Sequence, residues 1–460
     1  MFIGREEELK EIKESLAKHS FQSTVIYGRK RMGKTALMEQ GLVSCPLRIL
    51  SFEFKKAALF SNLSLFQSVI RDFFHNPYLS FDSFDSTFDF LLEKSTEEEY
   101  VLVLDEFSFL LTEDPEIESS LAVAIDKHKR KSSIHLFVLG SHVSLMKSMI
   151  SINSHCYGRF NHIIPLRAFD YYDSARFYPN YSDEDKIMLY SVFGGVPYFN
   201  SLIDTDKSAL DNIISLIVKA DSLCEHEIEE IILAETNKTP LLNSLFLLIL
   251  QGKEKYKDIH AVFSSANLTR PDYHLQTLLD MDLIEKRYSI HQESNRKRMR
   301  YVIKDNLLSF YFRYLFAAKN KELRKNPEFY FENFIAEDFY TKYIPEKFEE
   351  ISRQFLIRMN LSNRIHPPFF EIGEYSYNNS KTKTNRQFDV VTKDKTGYIA
   401  YECKYKNEPI GNNVIAEEEN QTKNLPDITF YKLGFISKNG FKSDVDKEKH
   451  SLFILSDFYK

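Results

Sequence analysis

Gly28-Arg29-Lys30-Arg31-Met32-Gly33-Lys34-Thr35 reads as glycine, four variable residues, glycine, lysine, threonine. Such a loop lets successive backbone N–H groups converge on one anion, and a helix starting at its end adds its positive pole. The short apolar strand Thr24–Tyr27 feeds the loop, and a helical stretch, Thr35–Gln40, leaves it. The chemistry suited to this spacing is the grip of a triphosphate. Residues Gly28 to Thr35, with Ala36 behind them, form the cradle, Lys34 reaches the outer phosphates, and the Thr35 hydroxyl meets Mg²⁺. Some seventy residues later, Val101-Leu102-Val103-Leu104-Asp105-Glu106 sets two carboxylates at the tip of an apolar strand. Ligands of open α/β sheets gather at that edge. Asp105 is placed to hold Mg²⁺, and Glu106 to act as general base on the attacking water. The expected cofactors are therefore ATP and Mg²⁺, and the presence of Glu106 predicts hydrolysis as well as binding.

Other candidates depend more on context. The strand Ile134–Leu139 ends in Gly140-Ser141; Ser141 either touches the γ-phosphate or belongs to a simple strand-ending turn. Arg159 is a candidate for stabilising transition-state charge, in cis or from a neighbouring copy in a homo-oligomer. Lys286, Arg287, Arg296, Lys297, Arg298, Arg300 and Lys304 surround a second predicted hairpin, with Glu293 opposing them. Such a hairpin could lie along a nucleic-acid backbone, or it could be a solvated turn on a protein-contacting domain. Near the C-terminus, Asp389 opens one predicted strand, and Glu402-Cys403-Lys404 closes the next. Residues two apart on a strand share a face, so Glu402 and Lys404 project together, and the hairpin returns Asp389 beside them. Two carboxylates suit a divalent cation, and a nearby lysine suits water activation at a phosphate. Cys403 reads as a small buried residue and not a nucleophile.

These residues need elements to hold them. Thr24–Tyr27, Arg48–Phe52, Tyr100–Leu104 and Ile134–Leu139 are short apolar runs separated by helical stretches, which predicts a parallel sheet covered on both faces. After Pro165 the rhythm stops. Residues 169–236 read as helices, with one break at Gly194-Gly195-Val196-Pro197. Residues 237–306 read as three helices and a hairpin, the layout of a winged helix. Aromatic helices fill 307–343, and 344–460 reads as a helix, three strands, a helix and a strand. With 1–168 as the first domain, five segments are expected within 460 residues.

Composition narrows the classes. Apolar residues at 43% and charged residues at 27% describe a globular chain, and a net charge of −6 argues against coating nucleic acid by bulk charge. Four scattered cysteines exclude a zinc ribbon and suit a reducing compartment. The charged start MFIGREEELK is unlike a signal peptide, and the longest apolar run, around Leu241–Leu250, is about half a bilayer span. A cytoplasmic protein with no membrane partner is expected.

Phe2-Ile3-Gly4-Arg5-Glu6, the basic loop residues Arg29–Arg31 and the Gly194–Pro197 turn resemble the archaeal-type ATPases of the STAND group. The resemblance implies an α/β P-loop fold with an additional strand between the two acidic and phosphate-binding motifs, a helical lid and a winged helix. It also makes Gly4, Arg5 and Pro197 peripheral nucleotide-site candidates. The C-terminal segment resembles the PD-(D/E)xK nuclease-like domain attached to that family. That likeness adds Glu349, in Lys347-Phe348-Glu349-Glu350, to Asp389 and Glu402 as a metal ligand. Phe388 stands where the motif's name has proline. Two functions stay open: ATP-driven control of a winged helix and a nuclease acting on DNA, or a regulatory ATPase whose C-terminal domain binds a partner without catalysis.

Overall fold

The computed structural model describes residues 2–235, 239–268, 270–291, 299–318, 321–379, 384–423, 425, 428–446 and 448–460. The chain forms two compact units, Met1–Ala168 with Ile231–Asn237, and Phe169–Glu230 with Lys238–Lys460. Among the described residues no helix is long and apolar enough to cross a membrane.

In the first unit, β1 (Gln22–Tyr27), β2 (Arg48–Glu53), β3 (Tyr100–Asp105), β4 (His135–Gly140) and β5 (His162–Pro165) lie in the order β2-β3-β4-β1-β5. All four pairings are parallel. Parallel neighbours require crossovers, and helices such as Lys34–Leu42, Leu59–Phe73 and Ile117–His128 supply them. Every residue of β3 and β4 is buried, which is why their sequences are continuous apolar runs without alternation. The strand β4 separates β1 from β3. The loop after β1 and the acids ending β3 therefore share the C-terminal edge of the sheet, about 10 Å apart at two strand spacings. On one face Phe52 stacks on Phe66 at 4.9 Å between centroids, and Phe54 and Phe107 pack edge to face at 6.0 Å. Phe107 follows Glu106 directly, so this aromatic cluster anchors the tip of β3. The four-residue β5, ending in proline, is the strand whose sequence carries too little pattern to be read in advance.

The second unit opens with helices, including Asp183–Phe193 and Pro197–Ser201. The break between them is tight: a Cβ on Gly195 would sit 1.8 Å from the Phe169 carbonyl oxygen, and the Phe169 N–H donates to the Gly195 carbonyl at 2.8 Å. Only glycine fits that approach. Helices Thr239–Leu250, Tyr256–Ser265 and Asp272–Asp280 are followed by an antiparallel pair, β6 (Ile284–Arg287) and β7 (Arg300–Ile303). A fully buried Arg324 clamps this unit from within. Its guanidinium donates to both Glu225 carboxylate oxygens at 3.0 and 2.9 Å, and to the Val218 carbonyl at 2.9 Å.

The helix Ile344–Leu361 precedes a second sheet of β8 (Glu371–Asn379), β9 (Thr384–Lys393), β10 (Tyr398–Lys404), β11 (Phe430–Ser437) and β12 (Ser451–Ile454), in the order β12-β11-β10-β9-β8. The first three strands run antiparallel, while β10, β11 and β12 are parallel. The helix Asn412–Gln421 makes the β10-to-β11 crossover. Phe355 lies flat on Phe458 at 4.2 Å, and Phe348 meets Tyr405 at 5.0 Å. These contacts seat the long helix on the sheet.

Candidate nucleotide site and a C-terminal carboxylate group

The loop after β1 owes its shape to its backbone. A Cβ on Gly28 would lie 2.6 Å from the Leu166 carbonyl oxygen, so only glycine lets the loop leave β1 beside the end of β5. Arg31 (φ 73°) and Gly33 (φ 83°) both adopt left-handed conformations, the alternation that turns amides toward one point. The Lys34 ammonium, 5% exposed, donates to the Gly28 carbonyl at 3.0 Å and the Arg29 carbonyl at 3.4 Å. It stands 4.0 Å from a Glu106 carboxylate oxygen. Burial lowers its pKa, partly offset by the negative Glu106 and Asp105. Arg29 and Met32 are buried, while Lys30, Thr35 and Ala36 are exposed. Thr35 and Ala36 thus form an open first turn at the helix N-terminus.

The acids at the end of β3 meet this loop. The Thr35 hydroxyl donates to an Asp105 carboxylate oxygen at 2.9 Å. Burial raises the Asp105 pKa, opposed by that hydrogen bond. A hard-oxygen pair of this kind, one buried and one open, fits Mg²⁺, which neutralises phosphate charge when bound. Glu106 has φ 51°, a left-handed conformation uncommon outside glycine. Its side chain accepts from Ser141 twice, from the hydroxyl at 2.5 Å and from the N–H at 3.2 Å. The tip of β4 therefore holds the acid at the tip of β3. The sequence left Ser141 either touching the γ-phosphate or in a simple strand-ending turn; in the structure it binds the Glu106 carboxylate.

In the second unit, β9 and β10 pair with Val390 opposite Tyr401, and the next residue of each strand, Asp389 and Glu402, lie close enough for the Asp389 charge to act on Glu402. Glu349, from the helix Ile344–Leu361, shares a hydrogen bond with Asp389. Burial, then the Asp389 charge, push the Glu349 carboxyl up to about 9, so it carries the proton. Glu402 is raised by burial, against the pull of Lys404, with which it is hydrogen bonded. The Lys404 ammonium is also influenced by Glu417 and Glu418 on the crossover helix. Oxygen donors of this type suit a hard divalent ion. Among the described residues, however, no three His, Cys, Asp or Glu side chains gather closely enough to hold a metal. The carboxylates are nonetheless adjacent: Glu349 hydrogen bonds with Asp389, and Lys404 engages Glu402. The Cys403 thiol hydrogen bonds with Ser352, and burial pushes its pKa well up, so it is no thiolate nucleophile.

Residues 2–200 match the model of an ATPase domain predominantly from Archaea. This part of the chain is similar to ATPase domains found predominantly in Archaea. With a phosphate loop, paired acids and a central strand between them, the protein is an ATP-hydrolysing enzyme. Residues 311–423 match a second family, described as archaeal and bacterial proteins of unknown function. An uncharacterized protein of Methanocaldococcus jannaschii, MJECL04, is 28% identical over 378 residues, covering 82% of each chain. Among solved structures, the Walker-type ATPase PABY2304 of Pyrococcus abyssi covers 68% of this chain and 96% of its own, with a TM-score of 0.47 and 18% identity. The ORC2 protein of Aeropyrum pernix covers 70% and 93%, with a TM-score of 0.45 and 15% identity.

Within the ATPase domain one sequence candidate changes role. Arg159 is not at the nucleotide loop. Its carbonyl accepts from the Ser23 hydroxyl at 2.8 Å, near the start of β1, about 13 Å from the loop by strand rise. Its guanidinium is bound to Asp126 at 2.5 Å. A cis role on the phosphates is closed to it, because it lies at the opposite edge of the sheet. Arg5 lies against the loop itself, donating to the Arg167 carbonyl at 2.6 Å and the Met32 carbonyl at 3.5 Å. Gly4 precedes it at φ 71°. Pro197 starts a short helix of the second unit.

The basic hairpin is also different from expectation. Arg287 binds Glu285 at 2.7 Å and Glu350; Arg300 binds Glu374, and Glu254 at 3.3 Å; Lys304 binds Asp282 at 2.7 Å. These charges are spent within the protein, since acids distant in sequence fold against them. Lys286 is exposed. Arg296, Lys297, Arg298 and Glu293 lie outside the described residues.

Proposed function

We propose that this ATPase uses its nucleotide cycle to govern a C-terminal nuclease-like domain that acts on DNA. In this reading Lys34 binds the outer phosphates, Thr35 and Asp105 hold Mg²⁺, and Glu106, oriented by Ser141, takes the proton of the attacking water. The observation that carries the DNA half is the adjacency of Glu349, Asp389, Glu402 and Lys404 on a framework of a helix, three strands, a helix and two strands. Glu349, Asp389 and Glu402 are the residues that would hold a divalent ion, which supplies charge neutralisation at a phosphodiester. Lys404 is placed to orient water or offset developing negative charge.

The test is incubation of purified protein with plasmid, single-stranded and branched DNA in Mg²⁺ or Mn²⁺, with and without ATP. Cleavage of one substrate, lost in Glu402→Ala, is the expected result. A second reading draws support from the internally paired hairpin arginines: a regulatory ATPase whose C-terminal domain binds a partner without catalysis. Absence of cleavage, with Glu402→Ala indistinguishable from wild type, rejects the nuclease reading in favour of the regulatory one. Gel shifts at several salt concentrations then decide whether DNA is that partner, since phosphate contacts give a steep salt slope.

A further inference from the structure

The second unit contains a cavity of about 620 Å³, apart from the carboxylate group, walled by Leu250, Val302 and Phe312 on one side and by Lys347 on the other. Lys347 is 8% exposed. Among the described residues its ammonium makes no hydrogen bond and no ion pair; its contact is the face of Tyr343, 5.5 Å from the ring centroid. The other cations of the wall are neutralised. Arg287 is held by Glu285 and Glu350, and Arg313 by Asp338 at 2.8 Å and Glu346 at 2.6 Å. Glu350 is in turn engaged by Arg353 at 3.6 Å. Glu350 and Glu346 act on Lys347 from a distance but are paired with arginines, so one positive charge, nine-tenths buried, has no salt-bridge partner of its own on the wall of a space large enough for a small molecule.

A buried ammonium without a partner is costly, because desolvation is not repaid by pairing. Plain packing would favour methionine or leucine at this position. The polar end and the apolar wall together describe a complementary occupant. We propose that this cavity binds a small amphipathic anion, its carboxylate or phosphate on Lys347 and its apolar body against Leu250, Val302 and Phe312. The occupant sits beside Glu350, whose partner Arg287 belongs to the hairpin. It is therefore positioned as a regulator of the second unit, whether or not that unit cleaves DNA.

The experiment uses the full chain with ATP and Mg²⁺ present to shield Lys34. Pyridoxal 5′-phosphate, an anionic aromatic aldehyde, forms an imine with an accessible amine, and borohydride fixes it for peptide mapping. The expected result is labelling of Lys347 at least tenfold above the exposed Lys286. The fluorophore 8-anilinonaphthalene-1-sulfonate should compete, and equimolar inorganic phosphate should not. Lys347→Met should weaken binding of the fluorophore at least tenfold. Val302→Phe, which fills the cavity and leaves the lysine in place, should do the same. Labelling spread evenly over surface lysines, or either variant binding the fluorophore as wild type does, overturns the proposal. Equal competition by inorganic phosphate overturns the assignment of an apolar body.

Discussion

Glu106 sits in a left-handed backbone conformation, and two hydrogen bonds from Ser141 fix where its carboxylate points. Exchanging the acid for its amide keeps the shape and removes the base. Glu106→Gln should therefore lower kcat by about 10²- to 10⁴-fold while ATP affinity stays within about threefold, measured by phosphate release and by nucleotide titration. An equal loss of affinity and rate would place Glu106 in binding instead. Ser141→Ala removes the 2.5 Å hydrogen bond and leaves the base in place, and losing one such bond to a charged group costs about 1.5 kcal/mol, about tenfold in rate. A tenfold fall in kcat at constant KM is expected. A rise in KM alone would mean that Ser141 touches the nucleotide and not the acid. At this scale the motif residues were legible because the loop needs fixed types at fixed spacing within eight positions. The role of Ser141 was not, because its partner is thirty-five residues away at the tip of the neighbouring strand.

Arg287 shows how the same limit works for an element. In sequence it belongs to a basic hairpin; in the fold it is bound to Glu350 on the helix Ile344–Leu361, which also receives Arg353. Burial alone would raise the Glu350 carboxyl, but Arg353 and Arg287 outweigh it and hold the pKa at about 2, below its ordinary 4.5. A carboxyl depressed by folding stabilises the fold above its unfolded pKa, and that stability is lost as pH falls from about 4.5 toward 2. Arg287→Met breaks a largely buried pair and should cost about 3 kcal/mol at pH 7. The gap between wild type and variant, read from urea midpoints, should shrink at pH 3. A gap that stays constant from pH 7 to pH 3 would detach Arg287 from Glu350. The strands of the first sheet were readable, because burial on both faces imposes runs such as Val101–Leu104. The short β5 and the ion-pair partners were not, since neither leaves a local pattern.

For the molecule as a whole, the sequence suggested that the three-helix hairpin segment and the C-terminal sheet are separate domains joined by aromatic helices. The packing binds them more closely. Ile290, just beyond β6, is 5% exposed and belongs to the same apolar core as Tyr375, Phe388, Val391 and Phe435 of the second sheet. Its N–H donates to the Glu374 carbonyl at 2.7 Å, and the buried Glu374 carboxylate receives Arg300. With the Arg287–Glu350 pair, this makes one apolar plug and two ion pairs from the hairpin. A fragment comprising residues 344–460 loses all three. Removing a buried isoleucine costs about 2 kcal/mol and stripping the partner from the buried Glu374 about 3 kcal/mol or more, while the part-exposed Glu350, which keeps Arg353, adds less. The sum matches the 5–15 kcal/mol that holds a typical domain together. Fragment 344–460 is therefore expected to be unfolded or molten in isolation, whereas fragment 169–460, which retains the hairpin and the Arg324–Glu225 pair, should unfold cooperatively. Far- and near-ultraviolet circular dichroism through a urea titration distinguishes the two. Equal midpoints for both fragments would show that the hairpin is a passenger on the sheet, and that the separation read from sequence holds after all.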